Sequence, residues 1–310
     1  MKESAHFSRP KRPIFPSSLF LSLLIALLLV GTFALFPQRV AHAASQSTSA
    51  PPKVNAPYAE LYDLTHNATL TSTGATTETE VASTTKIMTA LLVINSGKLN
   101  SVVTITQADI DYVYVNGASS AGLVVNDRLT VQQLLSAMML PSGCDAAFAL
   151  AGFLAGNAPN FIARMNAEAA QLGLKQTYYT TVDGLHNPDS QGHFGYSTAS
   201  DLIHLTSVAM QLPLFRQVVA TQTDTLPVTS QHHAYTWSNT NELLGTYPGI
   251  LGVKTGTTPW AGYCLVFAAT RNGVTLLGVV LSSPSDQQRY SDATALLNWG
   301  FSLSSTAQAA

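Results

Sequence analysis

Charge is scarce in this chain. Asp, Glu, Lys and Arg together make up 10% of its 310 residues, where an ordinary soluble domain holds about 25%. The 15 basic and 17 acidic residues nearly cancel, so the broad basic face that neutralises phosphates in a nucleic-acid-binding protein is excluded. Cysteine is scarcer still. The two present, Cys144 and Cys264, are too few for a disulfide scaffold. A single bridge between them is open to an exported chain, but two unpaired thiols is the simpler reading. The eight histidines show no metal-binding spacing: His232 and His233 are adjacent, and His186 and His193 lie in a polar loop. No metal and no cofactor is expected. No internal repeat is visible, and beyond the N-terminus there is neither a second long apolar run nor a basic amphipathic segment suited to a membrane surface.

What the chain does have begins with its first 43 residues. Lys2, Arg9, Lys11 and Arg12 precede an almost uncharged apolar run from Leu19 to Phe36, and Ala41-His42-Ala43 follows. Basic start, apolar middle and small-x-small end are the order of a secretory signal. Cleavage after Ala43 is the favoured reading, with retention of the run as an N-terminal membrane anchor the alternative. Either way the remainder is expected outside the cytoplasm, secreted or in the cell envelope. Five of the basic residues and one acidic residue lie within 1–43, so the rest holds 10 basic and 16 acidic residues, net −6. Residues 44–57, rich in Ser, Ala and Pro, read as a flexible linker. A catalytic domain is expected over 58–303 and a short tail over 304–310.

Periodicity supplies the outline of that domain. Residues 59–64 and 68–72 alternate around His66-Asn67 as a hairpin does. Helical spacing follows over Ser83–Asn95, Thr130–Leu140, Asp145–Leu154, Asn160–Leu172 and Thr198–Met210, the last capped by Ser197 or Thr198. Three strand-like runs, 249–256, 262–270 and 275–282, come next, with Arg271-Asn272-Gly273 a hairpin turn between the last two. A final helix is expected over Gln287–Phe301. Hairpin, helical block, meander and helix together predict an α/β protein with an antiparallel sheet flanked by helices and a mostly helical subdomain.

Three short motifs carry the chemistry. They are Ser83-Thr84-Thr85-Lys86, Ser142-Gly143-Cys144 and Lys254-Thr255-Gly256. Taken alone, Ser83-x-x-Lys86 is read more simply as a helix N-cap and a surface lysine. In this order, however, the three approximate the S-x-x-K, S-D-N and K-T-G set of serine acyl-transfer enzymes. A serine hydroxyl needs a nearby base. If Ser83 begins the helix, Lys86 lies one turn on and on the same side, and a second cation such as Lys254 would lower its affinity for a proton.

The flanking residues extend the match. Ala82-Ser83-Thr84-Thr85-Lys86-Ile87-Met88, Asp127-Arg128-Leu129-Thr130, Leu140-Pro141-Ser142-Gly143, Tyr196-Ser197-Thr198-Ala199 and Gly252-Val253-Lys254-Thr255-Gly256-Thr257 resemble the low-molecular-mass penicillin-binding proteins, the serine-type D-alanyl-D-alanine carboxypeptidases of the peptidase S11 kind. The resemblance runs from about Tyr58 to Phe301. It implies a β-lactamase/transpeptidase-like fold and an enzyme that removes the terminal D-Ala from peptidoglycan stem peptides, as carboxypeptidase or transpeptidase. It implies β-lactams as inhibitors that acylate the same serine. Residue by residue, it implies Ser83 as nucleophile, Lys86 as its proton acceptor and Ser142 as a proton relay. Lys254 and Thr255 would dock the substrate carboxylate, Gly256 would permit close backbone approach, and the N–H groups of Ser83 and Thr257 would form an oxyanion hole.

Three departures accompany the match. Cys144 stands where an asparagine is expected, replacing an amide by a weak donor and acceptor. It is expected to line the substrate site and to alter acylation or the balance of hydrolysis and transfer, and a reactive thiolate beside two lysines is the lesser reading. After Leu281, where relatives often carry a carboxylate-binding arginine, the chain reads Ser282-Ser283-Pro284-Ser285, which leaves the carboxylate to Lys254, Thr255 or Thr257. The further β domain and amphipathic anchor that many relatives carry after this point are not expected beyond Trp299-Gly300-Phe301. The rival readings are a class A-like β-lactamase, for which Thr180–Tyr196 offers only Asp183 and Asp189 in place of a glutamate, and a weakened member that binds cell-wall peptide without turnover.

Overall fold

The structure, a computed structural model, describes residues 50–308, with the side chains of the last helix described as far as Leu303. The expected signal segment 1–43 and the start of the linker lie outside the described residues. Strands β1 (Tyr58–Asp63) and β2 (Ala68–Thr73) form the N-terminal hairpin, and a 3-10 turn at Ala82–Thr85 leads into α1 (Lys86–Asn95). The helical block follows. It comprises a ribbon of β3 (Val102–Thr104) with β4 (Arg128–Thr130), then α2 (Gln107–Asn116), α3 (Val131–Met139), α4 (Cys144–Ala155), α5 (Ala158–Gln171), α6 (Ala199–Ala209) and α7 (Pro213–Ala220). A second ribbon pairs β5 (Thr223–Leu226) with β6 (Tyr235–Ser238). The chain ends in β7 (Ile250–Thr258), β8 (Gly262–Arg271), β9 (Val274–Ser283) and α8 (Asp286–Gln308).

The main sheet is antiparallel throughout, in the order β2-β1-β9-β8-β7. The first strand thus pairs with the last, and β7 is left at an edge. The β8–β9 hairpin closes through Asn272-Gly273, both at positive φ (49° and 81°), as a two-residue turn matched to strand twist requires. Side chains on β8 and β9 alternate between two cores. Leu265, Phe267, Leu276 and Val280 face α8, where Ala293, Leu296, Leu297 and Phe301 complete one cluster. Val266, Ala268, Leu277 and Val279 face the helical block. Gly278 leaves room for Phe267, whose ring would lie 2.2 Å from an added Cβ. Burying each such large side chain contributes about 1.5–3 kcal/mol, so the sheet is a rigid base clamped from both sides.

Helix starts in the block are set by side-chain caps. Thr130 accepts from the Gln133 N–H and Gln133 answers onto Thr130, a reciprocal pair that satisfies two free donors. Thr198, of the two residues proposed, is the cap of α6. Two helices escaped the sequence reading. In α2 only Asp109 is buried and Tyr114 and Val115 are exposed, so it lacks an apolar stripe, although Thr106 and Asp109 form a capping box and Gly117 ends it in the left-handed region. The eight-residue α7 is too short to show a period. Two expectations at the domain ends also change. Within the expected linker, the N–H groups of Asn55 and Ala56 donate to the Asp292 carboxylate (3.1 and 2.9 Å), and Ala56 is buried. The final helix continues past Phe301 to Gln308, taking in most of the expected tail. Among the described residues no single helix is long and apolar enough to cross a membrane.

Candidate active site

Three segments meet at the outer edge of β7. The first is the turn Ala82–Thr85. Ser83 was expected to open the helix, but it lies in this 3-10 turn, and α1 begins at Lys86. Ala82 sits at φ +47°. Its carbonyl is packed so tightly on Gly184 that an added Cβ there would lie 1.8 Å away. The turn keeps Ser83 half-buried and out of capping duty. Lys86 is wholly buried, and three polar groups surround its Nζ. Nζ donates to Ser83 Oγ at 2.8 Å, to the Asp183 backbone carbonyl at 3.1 Å and to Cys144 Sγ at 3.3 Å.

The second segment joins α3 to α4. Ser142 adopts a left-handed conformation (φ +65°) and its Oγ is buried with no hydrogen-bond partner, an arrangement that costs free energy and so marks a site under external demand. Gly143 is hemmed in by Ala137 O and Asp145 Oδ1, each 2.7 Å from a Cβ placed there. The fully buried Asp145 carboxylate receives Ser120 Oγ (2.7 Å) and the Ala121 N–H (2.9 Å). That holds the 119–122 loop against the start of α4, where the Cys144 N–H donates to Ser119 O (2.8 Å).

The third segment is β7 itself. A Cβ on Gly256 would lie 2.8 Å from Ser83 N and 3.0 Å from Val81 O, so the absence of a side chain lets the strand press against the Ala82–Thr85 turn. Lys254 is 1% exposed and donates to Thr255 O at 3.0 Å. Thr255 Oγ1 pairs with Thr240 Oγ1 at 2.6 Å. Burial, and after it the charge of Lys86, pushes Lys254 well below the usual ammonium range. The arrangement is a serine hydroxyl in contact with a buried amine, with a second buried amine on the neighbouring strand.

Residues 44–285 match the sequence profile of the D-alanyl-D-alanine carboxypeptidases. The chain belongs to this family. It is 45% identical over 247 residues to a D-alanyl-D-alanine carboxypeptidase of Streptomyces sp. (strain K15), covering 76% of this chain and 83% of that one. The solved Streptomyces K15 DD-transpeptidase superposes with a TM-score of 0.77 at 43% identity, covering 82% of this chain and all of that one. A penicillin-binding protein homolog from Mycobacterium tuberculosis gives 0.75 at 33% identity, covering 83% and 95%. The family resemblance and the β-lactamase/transpeptidase-like fold expected from the motifs are thereby established.

Against this family background two departures resolve differently. Cys144 sits where Lys86 and Ser119 meet (Sγ to Ser119 Oγ, 3.5 Å). Burial pushes its thiol up to about 11, outweighing the pull of Lys86, so the reactive-thiolate reading is not supported. Both cysteines are free and buried; Cys264, on β8, donates to Ala261 O just before that strand, and no bridge forms. No arginine follows Leu281, but one from further on reaches the end of β7. Arg289, in the first turn of α8 and 5% exposed, donates from Nη1 to Thr257 Oγ1 (3.1 Å), Gly256 O and Cys264 O (both 3.3 Å), and pairs with Asp286. The sequence reading missed it because it looked along the strand, whereas α8 folds back over the end of the sheet. A lone arginine in the first turn of the final helix was the available signal.

The acids of the 180–196 loop have other work. Asp189 accepts from Tyr178 and from the Gln191 and His193 backbones within its own loop. Asp183 meets Lys86 through its backbone carbonyl.

Proposed function

We propose that the chain is a serine DD-peptidase acting on peptidoglycan stem peptides that end in D-Ala-D-Ala, through an acyl-enzyme on Ser83. The reading rests above all on the 2.8 Å contact between Ser83 Oγ and Lys86 Nζ, made by a lysine with no exposed surface. Ser83 Oγ attacks the penultimate carbonyl. Its proton moves to Lys86 Nζ, the amine held beside a second cation, Lys254. The carbonyl oxygen takes negative charge toward the N–H groups of Ser83 and Thr257, donors fixed in place before reaction. As the amide C–N bond breaks, the departing D-alanine amine collects a proton by way of Ser142. An ester on Ser83 remains. Water then yields the shortened peptide and free Ser83, whereas an amine acceptor yields a new amide, which is transpeptidation.

Lys254, Thr255 and Thr257, with Arg289 behind Thr257, are assigned to the terminal carboxylate. Arg289 is an addition to the residues read from the sequence. Cys144 lines the same site and makes contact with Lys86. β-Lactams are expected to acylate Ser83 as mimics of the peptide. Since the substrate lies outside the cytoplasmic membrane, the reading also gives residues 1–43 the role of export signal.

Intact-mass spectrometry after incubation with penicillin, wild type against Ser83→Ala, tests the proposal. One persistent adduct on the wild type and none on the variant is expected. An adduct that vanishes within minutes would turn the reading toward a β-lactamase. A labelled enzyme that releases no D-alanine from any stem-peptide mimic would leave a peptide-binding member without turnover.

A further inference from the structure

Two walls meet on the Lys86 side of the site. One is the loop 180–187. Thr89 Oγ1 donates to Val182 O (2.5 Å), Lys86 Nζ donates to Asp183 O, and Gly184 is packed against the Ala82 carbonyl. The loop is thereby fixed to α1 and to the turn that carries Ser83. The other wall is α2 with the segment that follows it. Ser119 Oγ donates to Ser142 O (2.6 Å), and the buried Asp145 carboxylate holds Ser120 and Ala121, so this wall is fixed to the Ser142-Gly143-Cys144 motif. Asn187 Nδ2 donates to Asn116 Oδ1 at 2.9 Å and joins the two.

Both asparagines are set for this contact. The Asn116 amide nitrogen donates to Tyr112 O (2.7 Å), which leaves the amide oxygen as the acceptor. Asn187 is braced by Thr180, whose hydroxyl donates to Asn187 O (2.8 Å). Tyr112, one turn before Asn116 and on the same face of α2, stacks on Phe148 of α4 (centroids 4.3 Å, planes 16° apart). Burial, and after it the nearby Asp183 carboxylate, raises the Tyr112 phenol above its usual range. Between the two walls Lys86 touches both, through Asp183 O and Cys144 Sγ, and Lys86, Asp183 and Cys144 are each no more than 1% exposed. Yet α2 itself buries only Asp109, and an element with so few buried contacts opens at low cost. A single hydrogen bond is a large part of what holds such an element down.

We propose that the Asn116–Asn187 hydrogen bond is a clasp that shuts water out of the Lys86 side of the site, and so favours an amine acceptor over water at the Ser83 ester. Hydrolysis needs a water beside both groups. Its oxygen bonds to the ester carbon and its proton passes to Lys86 Nζ; the C–Oγ bond then breaks and Oγ takes the proton back. An acceptor amine enters where the D-alanine amine left, on the Ser142 and Lys254 side, and needs no such opening. The clasp rests on the acyl-enzyme reading of Ser83 and adds to it a residue pair that sets how the ester is partitioned.

The test compares wild type with Asn116→Ala, Asn187→Ala and the double variant. Loss of the penicillin adduct is followed by intact mass, and the ratio of hydrolysis to transfer is measured with diacetyl-lysyl-D-Ala-D-Ala as donor and glycylglycine as acceptor. In each single variant the adduct should be lost roughly three- to tenfold faster, and the ratio should rise by a similar factor, the range that one net hydrogen bond allows. The double variant should do no more than either single one, because the same contact is missing from all three. A loosened fold would instead slow acylation of Ser83 and make the two substitutions multiply, and that outcome overturns the clasp. Unchanged adduct lifetimes and product ratios in both single variants overturn it as well, and with a labelled wild type they defeat the clasp alone. A wild type that takes up no penicillin and releases no D-alanine defeats the acyl-enzyme reading and the clasp with it.

Discussion

A side chain on Gly256 would begin 2.8 Å from the backbone nitrogen of Ser83. That close approach joins the strand edge to the nucleophile turn and brings two motifs, far apart along the chain, into one site. Gly256→Ala must push the turn away, because the atoms in its path are backbone (Val81 O, 3.0 Å) and the Ala82 Cβ (3.1 Å). We expect penicillin acylation of Ser83 to slow by about two orders of magnitude, since a displacement near 1 Å has that effect on reaction geometry. Overpacking should cost about 1–3 kcal/mol of stability. Stopped-flow acylation and urea unfolding measure the two effects, and near-native values for both would refute the close-packing argument.

Lys254 is expected to weaken the fold that it serves. Its proton affinity is lowered from the ordinary value of 10.5 by burial and by Lys86. Below that pH the unfolded chain binds a proton that the folded chain resists, so the lysine opposes folding there; above it both states are neutral and the penalty disappears. Lys254→Met should therefore raise the melting temperature at pH 7, with the gain shrinking toward pH 11, while turnover is lost. Thermal melts across that range provide the check, and a lower melting temperature at pH 7 would count against the assignment.

Both thiols should be inert in the folded protein. With each pushed up to about 11 by burial, only on the order of one in a thousand is ionised at pH 8, and neither side chain is open to solvent. Thiol titration with an aromatic disulfide should count none in the native state and two in denaturant. Fast labelling of a single native thiol would revive the reactive-cysteine reading.

Cys144→Asn probes the departure that matters most for turnover. A thiol contact to Lys86 at 3.3 Å would be replaced by an amide able both to donate and to accept. The acylation rate constant, or the ratio of hydrolysis to amine transfer, should change. Rates and product ratios identical to wild type would show that this position is neutral.

Arg289→Leu removes the guanidinium behind Thr257. If Arg289 helps hold the substrate carboxylate, kcat/KM for a D-Ala-D-Ala peptide should fall roughly 10- to 100-fold, the usual range for a charged hydrogen bond. Arg289→Lys should recover only part of this, because an ammonium cannot reproduce a planar group that reaches Thr257, Gly256 and Cys264 from Nη1 and Asp286 and Tyr290 from Nη2. A peptide ester lacking the carboxylate should respond much less, and an equal response would assign Arg289 to structure alone.

Much of this was legible in advance. Periodicity located β1, β2, α1, α3 to α6 and the final meander, because each buries apolar residues in the core and therefore repeats them at 2 or 3.6. The turn at Asn272-Gly273 was legible for a local reason, its two left-handed residues. Helix α2 was not, since it buries too little to leave a pattern. Ser83 was placed on a helix because its own letters suit a cap; the 3-10 turn is imposed by neighbours, Gly184 beneath Ala82 and Gly256 against Ser83.

The sequence by itself determined the chemistry on offer: a serine three residues before a lysine, a second serine, and a lysine-threonine-glycine strand, in an order and with flanks that mark the family. Those are local facts, carried by residue type and spacing. Only the tertiary structure decided which groups share the site and in what state. Burial keeps Cys144 a neutral thiol and lowers the proton affinity of Lys254. The fold-back of α8 brings Arg289 to Thr257, and the loop that follows Asp183 brings Asn187 to Asn116 on α2. Electrostatics and packing depend on distance in space, and a linear chain records separation only along itself.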